Sequence, residues 1–284
     1  MAADAPGAMM VNGKILCAVA GPPSASPGND VNFPSPTSFY EFDYTAGSNG
    51  AFTQTGSPTG GLTDNISSYQ STMLALPDGT VLYCHIEQKN LDYSSFGSQL
   101  YVYTPDGSPL AAGKPTITSI TLNPDGSYHL VGTELNGISE GAAFGDDAQM
   151  NGNYPLVRLT DGSGNVYYAR TYNWSSTSVM TGTNLVTTEF TLGVTAGNYS
   201  LVVVANGIAS DPVTFDGTVW IDFNYTGGVQ LGTYALPYKT LAQGASAVAP
   251  GGTIAIKPGS SAETMTISKP MTITAVGGPA TIGQ

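Results

Sequence analysis

The sequence predicts an all-β protein, and three observations carry that expectation. Only 10% of the 284 residues are charged, while 36 are Gly and 19 Pro; an ordinary soluble domain carries roughly a quarter charged residues. Apolar and polar residues alternate with a period of two in short runs, and each run is bounded by Gly, Asn, Asp or Pro. A tight turn followed by an apolar strand occurs twice near the start. The 41% hydrophobic content, including 16 Tyr, suffices for cores and separates the chain from disordered sequences of low hydrophobicity and high charge. A net charge of −12 argues against an electrostatic grip on nucleic acid or anionic lipid. No apolar run approaches the roughly 18 residues of a membrane span.

The opening repeat lies in the first 112 residues. Asn12-Gly13-Lys14-Ile15-Leu16-Cys17 matches Asp78-Gly79-Thr80-Val81-Leu82-Tyr83, a turn entering an apolar strand in both cases. Ala8 to Val11 and Ser71 to Leu76 are the strands feeding these turns. The aromatic alternating strands Ser38 to Tyr44 and Gln99 to Tyr103 follow after variable loops. This pattern resembles the kelch blades of the galactose oxidase and glyoxal oxidase family. The stretch from Tyr69-Gln70-Ser71 to Asp78-Gly79 is similar to that family's last blade.

From residue 113 to 216 the rhythm changes to strands spaced by turn residues: Thr116 to Leu122, Ser127 to Glu134, Leu156 to Thr160, Val166 to Ala169, Thr187 to Leu192 and Tyr199 to Ala205. These predict one β-sandwich. Its last hairpin, Ala196 to Gly207, resembles the immunoglobulin-like (early-set) domain that follows the propeller in the same family.

Residues 217 to 284 have a third character. A short helix over Thr240 to Val248 would place Leu241, Ala245 and Val248 on one face. Gly251 to Ile256, Glu263 to Ile267 and Pro270 to Thr274 follow it. The segment resembles the start of a pectate-lyase-like right-handed β-helix with its capping helix.

The oxidase resemblance implies a copper-radical centre, with an adjacent Tyr-His pair in the last blade and a second His from the immunoglobulin-like domain. Tyr69 matches, but Gln70 stands at the His position and the strand Val166 to Arg170 carries no His. Without imidazole a tetragonal copper site loses most of its donors. The expectation is therefore a non-catalytic protein with no required cofactor, in which Tyr69 fills a blade. The only histidines, His85 and His129, belong to no ligand-spaced cluster and are expected as surface or interstrand residues. Cys17 and Cys84 could form one disulfide or remain two buried thiols.

Asp146 and Asp147, with Glu140 nearby, are candidate Ca²⁺ ligands if their turn gathers carboxylates and carbonyls; as turn-forming residues they need no ion. Tyr168, Tyr172 and Trp174 are candidate carbohydrate-binding aromatics, against a core role for about half of such a set. Asn65, Asn173, Asn198 and Asn224 begin Asn-x-Ser/Thr sequons. With the low Lys content they point to an extracellular or cell-surface location. Met1 to Ala8 lacks the basic and apolar regions of a secretory signal.

Two blades are fewer than the four or more of a closed propeller, and two coils are fewer than a stable solenoid needs. The functional expectation is a structural or adhesive protein whose open β edges pair with copies of itself, head-to-tail into a filament, or with the rest of a larger chain. Ile267 and Ile273 are the assembly candidates at the coil end. The alternatives are a polysaccharide-binding module of a larger carbohydrate-active protein and a fragment of a copper-radical oxidase.

Overall fold

The computed structural model describes residues 5–25, 31–88, 96–144, 148–195 and 197–284. The chain is all-β, with one short α-helix, Leu241–Ala247, among the described residues.

The first sheet is antiparallel. Its centre is Pro6–Met9, Ile15–Val19, Thr37–Asp43 and Ala51–Thr55, paired in that order. Thr63–Asp64 adds to the end of Thr37–Asp43. The second sheet has three strands, Ser71–Ala75, Val81–Gln88 and Phe96–Tyr103. Both sheets begin with the same device. In the first turn Gly13 N donates to Met10 O and Lys14 N to Asn12 Oδ1; in the second, Gly79 N donates to Leu76 O and Thr80 N to Asp78 Oδ1. Gly13 and Gly79 take φ of 85° and 92°, a left-handed conformation that strains any residue with a Cβ. The sequence repeat is therefore a repeat in three dimensions. The two sheets pack face to face around Ala8, Met10, Leu16, Ala18 and Phe39 from one and Met73, Val81 and Tyr83 from the other.

The sandwich strands are Thr116–Leu122, Tyr128–Thr133, Leu156–Asp161, Val166–Tyr172, Val186–Phe190, Asn198–Ala205, Ile208–Ala209 and Val213–Asp216. Val166–Tyr172 joins the two layers: its start pairs with Leu156–Asp161 and its end, Thr171 and Tyr172, with Val186–Phe190. Leu130, Phe190, Val157, Leu159, Leu201 and Val203 fill the space between them. The hairpin Gly141–Phe144 and Ala148–Gly152, although inside the 113–216 segment, leaves the sandwich and pairs with Pro6–Met9 of the first sheet.

After Asp216 the strands become parallel. Val219–Ile221, Thr253–Ile256 and Thr272–Ala275 stack in register, with Val219, Ile254 and Ile273 in one column. Gly259–Ser261 and Ala280–Ile282 form a second parallel pair. The helix packs Leu241, Ala245 and Val248 on this coil. It lies so close that a Cβ on Gly244 would stand 2.5 Å from Ile221 Cδ1. Thr240 and Gln243 form its capping box, satisfying end amides that a helix cannot satisfy itself.

Glu263 to Ile267 does not form the expected strand. Glu263 instead receives the amides of Leu241 (2.8 Å) and Ala242 (3.3 Å), and the strand is Gly259–Ser261. The competing attraction is electrostatic: a carboxylate at the positive end of a helix stabilises free N–H groups that alternation alone would leave bare.

Candidate functional site

The repeat defines which sheet surfaces are covered. Superposing the two turns makes Ala8, Leu16 and Ala18 equivalent to Leu74, Leu82 and Cys84, and Gly7, Ile15, Cys17 and Val19 equivalent to Met73, Val81, Tyr83 and His85. In the first sheet Ala8, Leu16 and Ala18 are buried; in the second it is Met73, Val81, Tyr83 and His85. Opposite faces of the same repeat thus meet, a heterologous contact. The second sheet's outward face carries Leu74, Leu82 and Val102 in one cross-strand row and Cys84 opposite Leu100 in the next. Leu74, Leu100 and Val102 are 39%, 63% and 60% exposed. On the far side of the pair, Ile15, Cys17, Tyr40 and Phe42 are part-exposed, and Phe52 stacks on Phe42 with ring centroids 4.4 Å apart. Contiguous apolar sheet faces of this kind mark interaction surfaces.

The joint between the sheets is polar at its rim. The His85 ring nitrogen Nδ1 lies 2.7 Å from Asp64 Oδ2, with both side chains buried. Ser71 is the cross-strand neighbour of His85, but its hydroxyl donates to Ser68 O at 2.8 Å, and all three residues are enclosed. The arrangement ties sheets together without offering a reactive hydroxyl to solvent. Further along Thr37–Asp43, Lys14 Nζ donates to Glu41 at 2.8 Å and Tyr103 OH to the other oxygen of the same carboxylate at 2.8 Å. Burial pushes the Tyr83 phenol up, with the charge of Asp64 adding to the effect.

His85 is therefore interstrand and buried, not a surface residue; Asp64, in a two-residue strand after a Gly-rich loop, carried no sequence signal. His129 is part-exposed and 4.0 Å from Glu189. Tyr69 does not fill a blade: it sits in the short 3₁₀ turn Ser68–Gln70, is 52% exposed, and stacks on Phe33 at 4.4 Å. Ser67 Oγ caps this turn by accepting from Tyr69 N. Cys17 and Cys84 are free thiols.

The aromatic candidates separate. Tyr168 and Tyr172 project from one face of Val166–Tyr172, alternating with buried Ala169 and Thr171. Trp174 packs on Tyr154 at 5.4 Å, and its Nε1 donates to Thr171 Oγ1 at 2.9 Å. Asn65, Asn173, Asn198 and Asn224 are all exposed. Asp146 and Asp147 lie outside the described residues.

At the coil end, Ile267 and Ile273 are each 38% exposed. The opposite end is closed. Tyr238 bridges Ile221 in parallel, with Tyr238 N donating to Trp220 O at 2.9 Å and Asp222 N to Tyr238 O at 2.9 Å. Among the described residues, Tyr238 thus lies along the outer edge of Val219–Ile221.

Among the described residues no helix is long and apolar enough to cross a membrane. In comparison with known proteins, no family model matches the chain and no curated protein matches it.

Proposed function

We propose that the chain is a non-catalytic structural or adhesive protein, acting outside the cell, that associates with further β-sheet polypeptide through the two uncovered faces of its paired sheets. The observation that carries the reading is the heterologous contact itself: the face that buries Leu16 and Ala18 in one repeat leaves Leu82 and Cys84, with Leu74, Leu100 and Val102, uncovered in the next. A second copy supplies the matching face, that of Ile15 and Cys17. The strands Gly141–Phe144 and Ala148–Gly152 extend the first sheet beyond Pro6–Met9, and a head-to-tail succession of copies that does not close gives a filament. Kelch-like blades are consistent with this reading because blades pack by the same face-to-face contact. The four exposed sequons support the extracellular location.

Light scattering across a concentration series tests it: growth in mass with concentration is expected, and a monomer throughout contradicts it. Carbohydrate binding is a second reading, favoured by Tyr168, which is 50% exposed beside its cross-strand neighbour Arg158. Retention on polysaccharide columns that is lost in Tyr168→Ala would favour it over self-association.

A further inference from the structure

Both arginines of this chain, whose net charge is −12, lie on one outward face of the sandwich. In Leu156–Asp161 and Val166–Tyr172 the buried positions are Val157, Leu159, Ala169 and Thr171, so alternation puts Arg158, Tyr168, Arg170 and Tyr172 together on the opposite side. Arg158 is the cross-strand partner of Tyr168, and Leu156 that of Arg170. The two arginines are therefore diagonal neighbours, with Cβ atoms about 7 Å apart. No carboxylate stands at the outward positions of these two strands. Glu189, opposite Tyr172, already accepts from Asn173 Nδ2.

The guanidiniums are uncommitted. Lys14, Lys114 and Lys257 pair with carboxylates, Lys269 donates to helix carbonyls, and Lys239 lies over the Tyr225 ring. Among the described residues, Arg158 and Arg170 form no ion pair and donate no side-chain hydrogen bond. Like charges held as cross-strand neighbours repel, and an anion between them turns that repulsion into charge-assisted hydrogen bonds. The surroundings are those of a sugar and not of a bare ion. Tyr168 and Trp174 expose flat ring surface. Leu156 and Tyr154, with Pro77 and Val204, line a cleft of about 230 Å³ at the Arg170 end. On the other side of Arg158, the cross-strand partners Thr160 and Ser200 carry hydroxyls that bond no other described residue. Aromatic faces with a few free polar groups suit a pyranose ring, and the planar guanidinium fork matches a planar carboxylate.

We propose that this face binds an acidic polysaccharide, with a uronate carboxylate held between Arg158 and Arg170 and the sugar ring against Tyr168. The proposal deepens the carbohydrate reading above and rests on it. The acidic remainder of the protein repels a polyanion, so the two uncommitted arginines also decide where such a chain can dock.

The test is retention of the full chain on immobilised alginate, a uronate polymer, and on carboxyl-reduced alginate, the same backbone with its carboxylates turned into alcohols. It is run at about 0.15 M NaCl, where repulsion beyond about 8 Å is largely screened. The unaltered protein is expected to be retained by alginate and not by the reduced polymer. Arg158→Gln and Arg170→Gln should each weaken retention by about tenfold, the loss of one charge-assisted contact. Their melting temperatures should stay unchanged, since neither guanidinium has a partner in the fold. Equal or stronger retention on the reduced polymer, or undiminished retention in both variants, overturns the proposal and leaves a neutral-carbohydrate reading standing. Retention on neither column overturns both. Variants that bind alginate as before but lose mass in light scattering overturn it as well, and assign the arginines to acidic residues of a second copy. If a variant does not fold, the unaltered protein's choice between the two columns decides alone.

Discussion

Asp64 and His85 lie 2.7 Å apart at the joint of two sheets that share no backbone ladder. Asp64 belongs to the short strand paired with Thr37 and Ser38 of the first sheet, and His85 to the middle strand of the second. Removing one partner takes this hydrogen bond away from the enclosed group that remains. Asp64→Ala should therefore cost about 3 kcal/mol of stability, and Asp64→Asn, which keeps an acceptor, clearly less. Urea denaturation of both variants measures the difference; equal losses would mean that packing and not the hydrogen bond matters there.

The helix Leu241–Ala247 is held at both ends from the coil beneath it. Glu263 receives its first amides, and Lys269 Nζ donates to the carbonyls of Ala245 (2.9 Å), Ser246 (3.0 Å) and Val248 (2.8 Å). Each charge opposes the helix dipole. Glu263→Ala and Lys269→Ala should each lower the local opening free energy of the helix by about 1 kcal/mol, read by amide hydrogen exchange at Leu241 to Val248. Unchanged exchange in both would show that the apolar face alone holds the helix.

Acid should destabilise the protein through its turns. Asp43, Asp78, Asp125 and Asp161 hold their carboxyls below the ordinary value of 3.8, chiefly because Thr45, Thr80, Ser127 and Asn165 donate side-chain hydrogen bonds to them. A depressed folded pKa gives stability that is present above 3.8 and lost as pH falls through the lower folded values. At the alkaline end, burial pushes the Cys17 thiol up from 9.0 to about 11. That contribution is intact below 9.0 and lost as pH rises toward 11. Urea midpoints should fall below pH 4 and again above pH 9, and at pH 8 Cys17 should alkylate more slowly than a free thiol in an unfolded peptide. Flat midpoints, or rapid modification of Cys17 in the folded chain, would contradict this.

Much of the fold was legible because the signals were local. Thr116–Leu122 alternates and ends at a turn where Asp125 caps Ser127, and Thr240 with Gln243 spells a helix start. What was not legible depended on distant partners. Nothing in Gly141 to Gly152 indicates that this hairpin joins Pro6–Met9, because β pairing is specified by both strands and the packing around them. Glu263-Thr264-Met265-Thr266-Ile267 alternates like a strand, yet the helix amides claim its carboxylate. The apolar run Val81-Leu82-Tyr83 did not say which of its faces is covered; that needed the contact between Tyr83 and Phe39, whose rings meet edge-on at 5.1 Å. Glu134 and Asp64 look like ordinary turn or strand-end acids until their burial is seen.

The association of uncovered sheet faces is tested most directly by comparing the unaltered chain with Leu100→Asp/Val102→Asp in size-exclusion chromatography with light scattering. Covering each side chain contributes about 1.5–3 kcal/mol, so the double change should weaken association by at least about a hundredfold. Both residues point away from the core between the sheets, and the melting transition should be retained. The account predicts that the mass of the unaltered protein grows with concentration while the variant stays monomeric. A monodisperse monomer for the unaltered protein, or the same growth in the variant, would contradict it.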